Sequence, residues 1–154
     1  MTITEEVEEI EEITLEGAIE SRLVELIDDA LEERPDGLII RGRHETEFGA
    51  SPAIVCRALR EGDADIPGWW KVAVSVSLEF RENELTPVEA DFLFRAIDGV
   101  MGSTAPSLQP TLATDAVAVA GIEYDDAFEI QREDDSETRT YNCMAVCGLI
   151  DPNS

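Results

Sequence analysis

The residues of this chain that could do chemistry are few, and the densest group of them surrounds its only histidine. The segment Arg41-Gly42-Arg43-His44-Glu45 places an imidazole beside two guanidinium groups, which could serve as a general base or a phosphate site. General-base catalysis needs an orienting partner and a nucleophile within hydrogen-bond reach, and the sequence indicates neither. We therefore interpret His44 as a solvated loop residue. We expect Arg41 and Arg43 to pair with carboxylates of the fold or of a neighbouring molecule.

The other nucleophiles lack catalytic spacing. Ser75 and Ser77 lie in a strand pattern, not at a Gly-x-Ser-x-Gly elbow, and the glycines form no phosphate-binding loop. Cys143 and Cys147 also lie in one predicted strand, so they are roughly 13 Å apart, too far for a shared metal or a disulfide. Together with Cys56 they are interpreted as buried free thiols. We predict no catalytic residue, no metal site, no cofactor and no enzymatic activity.

Two acidic clusters, at residues 63–65 and 134–137, offer oxygen ligands for a cation. Neither has the ligand spacing or the closing glutamate of an EF-hand loop. We expect only weak cation association at solvated turns.

The chain is strongly acidic. Its 154 residues include 35 Asp and Glu against 11 Lys and Arg, which gives a formal net charge of -24, and Lys71 is the single lysine. Such a surface repels itself in dilute buffer, whereas in molar salt the Debye length falls to roughly 3 Å and screens the repulsion. We therefore expect a protein from a high-salt environment. Specific binding to nucleic acid or to an anionic membrane is not expected, because both need positive charge.

Length and an apolar content of 44% fit one globular domain, predicted over residues 14–154. No apolar run approaches the roughly 20 residues that span a membrane. The first residues are acidic where a secretory signal is basic, so we expect synthesis in the cytoplasm. Residues 1–13 repeat a Glu-Glu-apolar triplet, which fits either a mobile arm or an acidic extension of the following helix.

Two amphipathic helices are predicted from apolar residues at the spacing i, i+3, i+4 and i+7. The first begins after the N-cap Thr14 and ends at Pro35-Asp36-Gly37. The second begins with a capping box formed by Thr86 and Glu89 and ends at Gly102. Their apolar stripes comprise Leu15, Ala18, Ile19, Leu23, Leu26, Ile27, Ala30 and Leu31, and then Phe92, Leu93, Ala96, Ile97, Val100 and Met101. The polar face of the first helix comprises Glu16, Glu20, Glu25, Asp28 and Asp29.

Six β segments are predicted, at residues 38–40, 52–59, 70–80, 113–124, 127–132 and 138–150. The clearest is 70–80, where every second residue is large and apolar, which predicts one buried face. The alternate residues Ala73, Ser75 and Ser77 are small, so the second face is also expected to be partly covered, by a helix or by a neighbouring subunit. The order α-βββ-α-βββ predicts an α+β fold, with both helices on one face of a mainly antiparallel sheet of five or six strands.

Two residues beside the long strand are candidates for protein contact. Trp69 points away from the buried register next to Lys71, and is either covered by a loop or part of an interface, where tryptophan is enriched. We therefore name five candidate interface residues: Arg41, Arg43, His44, Trp69 and Lys71.

The layout resembles the tail terminator proteins (minor tail protein U type) of long-tailed phages and related proviral neck proteins. The resemblance covers residues 14–150 and lies in the order and texture of the elements, not in an invariant functional motif. After the first helix come Gly-Leu-Ile-Ile at 37–40 and Ser-Pro-Ala-Ile-Val-Cys at 51–56. They are followed by Trp-Lys-Val-Ala-Val-Ser-Val-Ser-Leu at 70–78, the second helix, and Cys-Met-Ala-Val-Cys-Gly at 143–148.

The resemblance implies a protomer of a sixfold ring in the virion neck, where the tail tube ends against the head. Its expected partners are copies of itself, the tail tube protein and a head-completion or adaptor protein, with DNA only passing through the lumen. The charge is more acidic than usual for this family, which fits a virus of a high-salt host. Two other functions stay open: another neck component, such as a head-closure or tail-completion protein, and a small acidic binding module that mimics DNA.

Overall fold

The computed structural model describes residues 14–31, 33–35, 37–42, 52–64, 66–101, 112–114, 117–124 and 129–150. The predicted arm 1–13, the loop residues Arg43 and His44, and the predicted helix end at Gly102 lie outside these ranges. The described elements are α1 (Leu15–Ala30), β1 (Ile39–Gly42), β2 (Ala53–Asp63), β3 (Trp70–Arg81), α2 (Pro87–Met101), β4 (Val117–Tyr124), β5 (Glu129–Glu133) and β6 (Ser136–Leu149).

These strands form one mixed sheet with the order β1-β2-β3-β6-β4, and β5 also pairs with β6. β1 runs parallel to β2, whereas the other pairs are antiparallel. β6 has 14 residues, so one of its edges accommodates β5 along its first part and β4 along its last part. The predicted α+β fold, with two helices against a mainly antiparallel sheet, is confirmed.

The core lies between the helices and one face of the sheet, because every second residue of the central strands points there. This face is formed by Val72, Val74, Val76 and Leu78 of β3, Ile54, Cys56 and Ala58 of β2, and Cys143, Ala145 and Cys147 of β6. The helices add Leu15, Ile19, Leu23 and Ile27 of α1, and Ala90, Leu93, Ile97 and Met101 of α2. The period-two prediction for β3 is confirmed, and the three cysteines are buried free thiols as expected.

The start of α1 is as predicted, because Thr14 Oγ1 accepts a hydrogen bond from the N–H of Gly17 at 3.0 Å. The helix ends at Ala30, earlier than the turn at residues 35–37. The assignment of Glu20 to the polar face was wrong, since this residue is only 4% exposed. Glu20 lies between the core residues Ile19 and Leu23. Its Oε2 accepts a hydrogen bond from the backbone N–H of Ala58 in β2 at 2.9 Å.

The start of α2 is also as predicted. Thr86 N–H donates to Glu89 Oε1 at 2.9 Å, and Glu89 N–H donates to Thr86 Oγ1 at 3.1 Å, which completes the capping box. The placement of Phe92 in the apolar stripe was wrong, because its side chain is 47% exposed. Phe94 packs inward instead, and its ring stacks on that of Tyr141 in β6 with centroids 4.9 Å apart.

Strand boundaries differ from the predictions mainly next to turns. β2 continues to Asp63 past a register shift between Arg60 and Gly62, whereas the apolar pattern ends at residue 59. β4 begins at Val117, four residues later than predicted. Neither helix of the described part of the chain has the length and apolar character to cross a lipid bilayer.

A candidate assembly surface on the second face of the sheet

The face of the sheet that points away from the helices, here called the second face, carries three of the five residues that were predicted to make protein contacts. Its members follow from the register of the strands, in which alternate residues point away from the core. On the strands β1, β2 and β3 it comprises Arg41, then Val55, Arg57 and Leu59, and then Lys71, Ala73, Ser75, Ser77, Glu79 and Arg81. On β6, β4 and β5 it comprises Ser136, Thr138, Thr140, Asn142, Met144 and Val146, then Gly121 and Glu123, and then Glu129, Gln131 and Glu133.

One end of the second face is buried and polar. Arg57 donates to Ser77 Oγ at 3.2 Å and to Glu79 Oε2 at 2.9 Å, so its guanidinium lies across β3. The hydroxyl groups of Ser77 and Thr140 are 2.9 Å apart and link β3 to β6. Val55 is fully buried in the same row. Sequence analysis missed this network, because a small residue in a strand gives no sign of which long side chain will cover it.

Arg41 is at the buried end of the second face, on the edge strand β1 and in register with Val55. It is only 5% exposed. Its Nη1 donates to the carbonyl oxygen of its neighbour Gly42 at 3.2 Å, whereas its Nε is enclosed and has no hydrogen-bond partner. No carboxylate of the described residues pairs with it. The guanidinium therefore carries a buried charge that the described part of the chain leaves uncompensated.

The other end of the second face is exposed and more apolar. Leu59 is 50% exposed and lies in register with Ala73 and, through it, with Met144. Lys71 is exposed next to Val146. A depression of about 460 Å³ beside them is lined by Lys71, Gly121, Ile122, Glu123, Met144 and Val146.

Trp69 also lies at the exposed end. A Cβ atom on Gly148 would be 3.5 Å from the indole ring and 2.8 Å from the carbonyl oxygen of Gly68. The ring of Trp69 therefore packs on the backbone of β6, where only a glycine leaves enough room. This contact leaves Trp69 half-buried. The ring is therefore neither fully covered nor fully available for an interface, the two alternatives expected from the sequence.

The structure places three of the five predicted interface residues on one face, but not in one cluster. Arg41 is at the buried end, whereas Trp69 and Lys71 are at the exposed end. Ser77 lies across the sheet from Arg41, in register with it through Val55. Along β3, Ser77 is six residues from Lys71, so the two ends of the face are about 20 Å apart. Arg43 and His44 belong to the undescribed part of the chain. The second face is therefore an extended surface and not a pocket.

A separate cleft of about 720 Å³ opens between the turn after β3 and the β5–β6 hairpin. The two turns are joined by a backbone hydrogen bond from Glu82 N–H to the carbonyl of Asp135 at 2.6 Å. Asn83 and Asp134 adopt positive φ angles of 76° and 49° in these turns. Sequence analysis identified the acidic hairpin tip but not the cleft, which depends on the approach of two turns distant in sequence.

Three charged side chains of this cleft, Arg132, Glu137 and Arg139, form one ion-paired cluster. Glu137 accepts hydrogen bonds from both Arg132 and Arg139, and Arg139 also donates to Asp91 at 3.2 Å. Burial raises the pKa of Glu137, but the two guanidinium groups outweigh it and hold the pKa below its ordinary value. A carboxylate that stays ionised at neutral pH cannot act there as a general acid, so this arrangement is suited to holding the hairpin.

The described residues include no group of three or more His, Cys, Asp and Glu side chains that could hold a metal ion. The thiols of Cys143 and Cys147 are buried, which raises the pKa of the first to about 12 and of the second to about 11. Both therefore remain protonated and are weak nucleophiles at neutral pH.

Comparison with known proteins gives no assignment: the sequence matches no protein-family model, and no curated protein is similar to it.

Proposed function

We propose that this chain is a virion structural protein that assembles with copies of itself into a ring, with about six copies favoured. In this proposal it acts as the tail terminator, which caps the tail tube at the head–tail junction of a virus from a high-salt host. The observation that carries self-assembly is the second face of the sheet, which offers apolar and cationic side chains in a chain of net charge -24.

The apolar part of this face supports a protein contact. An antiparallel sheet with one face on helices usually presents polar residues to water on the other. Here Leu59 of β2 is half-exposed, and on the far side of β3 the side chains of Met144 and Val146 are only partly covered. An exposed apolar patch with a polar rim is typical of a surface that binds another protein.

A ring places demands on both the surfaces and the charge of each protomer. Every copy must offer two different surfaces that fit each other, so that head-to-tail contacts close by rotation. Copies with a net charge of -24 repel one another in dilute buffer, and molar salt removes most of that repulsion. An acidic lumen would also let DNA pass without binding its phosphates. The same charge thus suits both the proposed solvent and the proposed channel.

Self-assembly is tested by measuring the mass of the full chain in solution. Light scattering coupled to size exclusion is run in molar KCl over a range of protein concentrations, and negative-stain electron microscopy examines the largest species. We expect rings of about six copies. A strict monomer at the highest concentration, with or without the tail tube protein of the same virus, contradicts the proposal. Tight binding to a cationic DNA-binding enzyme would favour a DNA mimic instead.

The position of the protein in the virion is tested separately. A portal gene upstream and a tail tube gene downstream of this one would support a neck protein. Gold labelling of the assembled particle then distinguishes a tail terminator, which lies against the tail tube, from a head-closure protein, which lies against the portal.

A further inference from the structure

We infer that Arg41 is a receptor for a carboxylate of the adjacent copy, so that the contact between neighbouring protomers supplies the counter-charge that this buried guanidinium lacks. The inference rests on the ring assembly proposed above and assigns a specific residue to its contact. The partner is a second copy of this chain, which carries 35 acidic side chains.

Arg41 carries a charge that the described residues do not balance. A guanidinium has five N–H donors and cannot lose its proton in a protein. In Arg41 one of these donors reaches a carbonyl oxygen, at 3.2 Å, and Nε is enclosed without any acceptor. A buried charge is stable only when it is paired and hydrogen-bonded. In the described part of the monomer this pairing is missing.

Several more exposed arginines, unlike Arg41, are bound to carboxylates. Arg57, on the same face, is bound to Glu79 at 2.9 Å although more than a third of its side chain is exposed. Arg60 is bound to Glu16 at 3.0 Å, and Arg139 is bound to two carboxylates. Arginines that water could solvate are thus paired with carboxylates, except Arg81 and Arg95, which are exposed and have no such pair among the described residues. Arg41 is the buried arginine of the described residues, and none of their carboxylates pairs with it.

The position of Arg41 also favours a contact with another copy. It lies on the edge strand β1, whose outer side pairs with no other described strand. On the second face the strands β1, β2 and β3 carry one carboxylate, Glu79, which Arg57 already binds. The other carboxylates of this face, Glu123, Glu129 and Glu133, lie on β4 and β5, beyond β6 and away from β1. In a chain of net charge -24, an acidic surface of another copy therefore meets less repulsion at the edge that carries Arg41.

Three variants of the full chain test the inference in molar KCl. Arg41→Leu removes the charge and keeps an apolar side chain, and Arg41→Lys keeps the charge without the planar donor pair that binds both oxygens of a carboxylate. Arg95→Leu is the matched control, because it removes the same charge from an exposed residue of α2, on the helix side of the sheet. The readouts are the dissociation constant of the oligomer, from light scattering, and the urea midpoint of the monomer below its assembly concentration.

We expect Arg41→Leu to weaken assembly at least about tenfold, Arg41→Lys to weaken it less, and Arg95→Leu to leave it unchanged. The urea midpoint of the Arg41→Leu monomer should equal or exceed that of the wild type, because an uncompensated buried charge has been removed. Normal assembly of Arg41→Leu overturns the inference and leaves the ring intact. A lower urea midpoint for its monomer also overturns it, because the charge is then compensated within one copy.

Two further outcomes decide whether a carboxylate of another copy is the partner of Arg41. A wild-type chain that stays monomeric overturns both the ring and the role of Arg41. Chloride could supply the same negative charge as a carboxylate. If chloride raises the urea midpoint of the wild-type monomer above that in fluoride at equal ionic strength, and Arg41→Leu abolishes this difference, Arg41 binds a free anion and the inference is wrong.

Discussion

The carboxylate of Glu20 in α1 accepts a hydrogen bond from the backbone N–H of Ala58 in β2, across 2.9 Å and away from solvent. The reason is the shortness of β1, which ends at Gly42, opposite Cys56. Beyond that point the edge of β2 has no neighbouring strand among the described residues, and the N–H of Ala58 needs another acceptor. A helix side chain thus completes the hydrogen bonding of the sheet where a strand ends.

We predict that Glu20→Leu lowers the free energy of unfolding by about 1–3 kcal/mol, because the N–H of Ala58 is then buried without an acceptor. Glu20→Gln should lower it less, since the amide oxygen can still accept this bond. Glu25→Leu, on the exposed side of the same helix, is the control and should change stability by less than about 0.5 kcal/mol. Urea unfolding in molar KCl, followed by circular dichroism, measures all three. Equal stability of Glu20→Leu and wild type would refute the role of Glu20.

We predict that KCl strongly stabilises the fold up to about 1 M and has little further effect above that concentration. The net charge of -24 is spread over a compact molecule, and screening is nearly complete once the Debye length reaches roughly 3 Å at 1 M. The urea midpoint should therefore rise between dilute and molar KCl and change little above that. Sucrose, which stabilises compact states without screening charge, is the control. A urea midpoint that responds to sucrose as strongly as to KCl would exclude electrostatic repulsion as the cause.

We predict that Gly148→Ala destabilises the fold by about 1–3 kcal/mol, because the new Cβ would be 2.8 Å from the carbonyl oxygen of Gly68 and the turn must move. The ring of Trp69 moves with that turn, so its fluorescence should shift to the red. Gly121→Ala in β4 is the matched control, since a Cβ there meets nothing within 4 Å. An unchanged spectrum in Gly148→Ala would show that the indole does not pack on β6.

We predict that Gly99→Ala stabilises the protein by about 0.5–1 kcal/mol, because Gly99 lies in the exposed face of α2 and a Cβ there contacts nothing within 4 Å. Gly17→Ala in α1 provides the comparison. Its Cβ would be 2.7 Å from Thr14 Oγ1, the atom that caps the helix, so the gain in helix propensity is offset by a weaker cap. Thermal unfolding in molar KCl should show a higher midpoint for Gly99→Ala than for Gly17→Ala.

We predict that alkaline pH destabilises the protein through Tyr141 as well as through the thiols. Burial, together with the hydrogen bond to Asp98 at 2.7 Å, raises the pKa of Tyr141 from 10.0 to about 12. The unfolded chain therefore loses this proton first, so the stabilisation is complete below pH 10 and is lost as the pH rises towards 12. Between pH 10 and 12 the free energy of unfolding, measured with urea, should fall less steeply with pH for Tyr141→Phe than for the wild type. An identical slope would contradict the raised pKa.

How much the sequence predicts depends on whether a feature is local. The capping box of Thr86 and Glu89 needs only four consecutive residues, and the alternation of β3 needs only the strand itself, so both were predicted correctly. The fold class followed, because two apolar helix stripes and one apolar strand face have few ways to pack. The parallel pairing of β1 with β2 could not be read from either strand, since it depends on the path of the chain between them.

The errors concern residues whose surroundings come from distant parts of the chain. Glu20 is buried because α1 crosses the open edge of β2, and Phe92 is exposed because α2 turns Phe94 towards Tyr141 instead. Arg41 was named as a candidate because cationic residues are scarce in this chain. Its burial was not predicted, because arginine is mostly exposed in proteins and β1 has only four residues. A helical pattern specifies which side of a helix is apolar, but not where that side meets a gap in the sheet.

The hydroxyl contact between Ser77 and Thr140 joins residues 63 positions apart, and it lies on the central strand of the sheet. A nascent chain can form the β2–β3 hairpin early, yet β3 keeps one unsatisfied edge until β6 has left the ribosome. During that interval Val72, Val74 and Val76 lack their β6 neighbours. Until then the open edge of β3 is available for non-native strand pairing, and the synthesis of β6 completes the hydrogen bonding of the central strand.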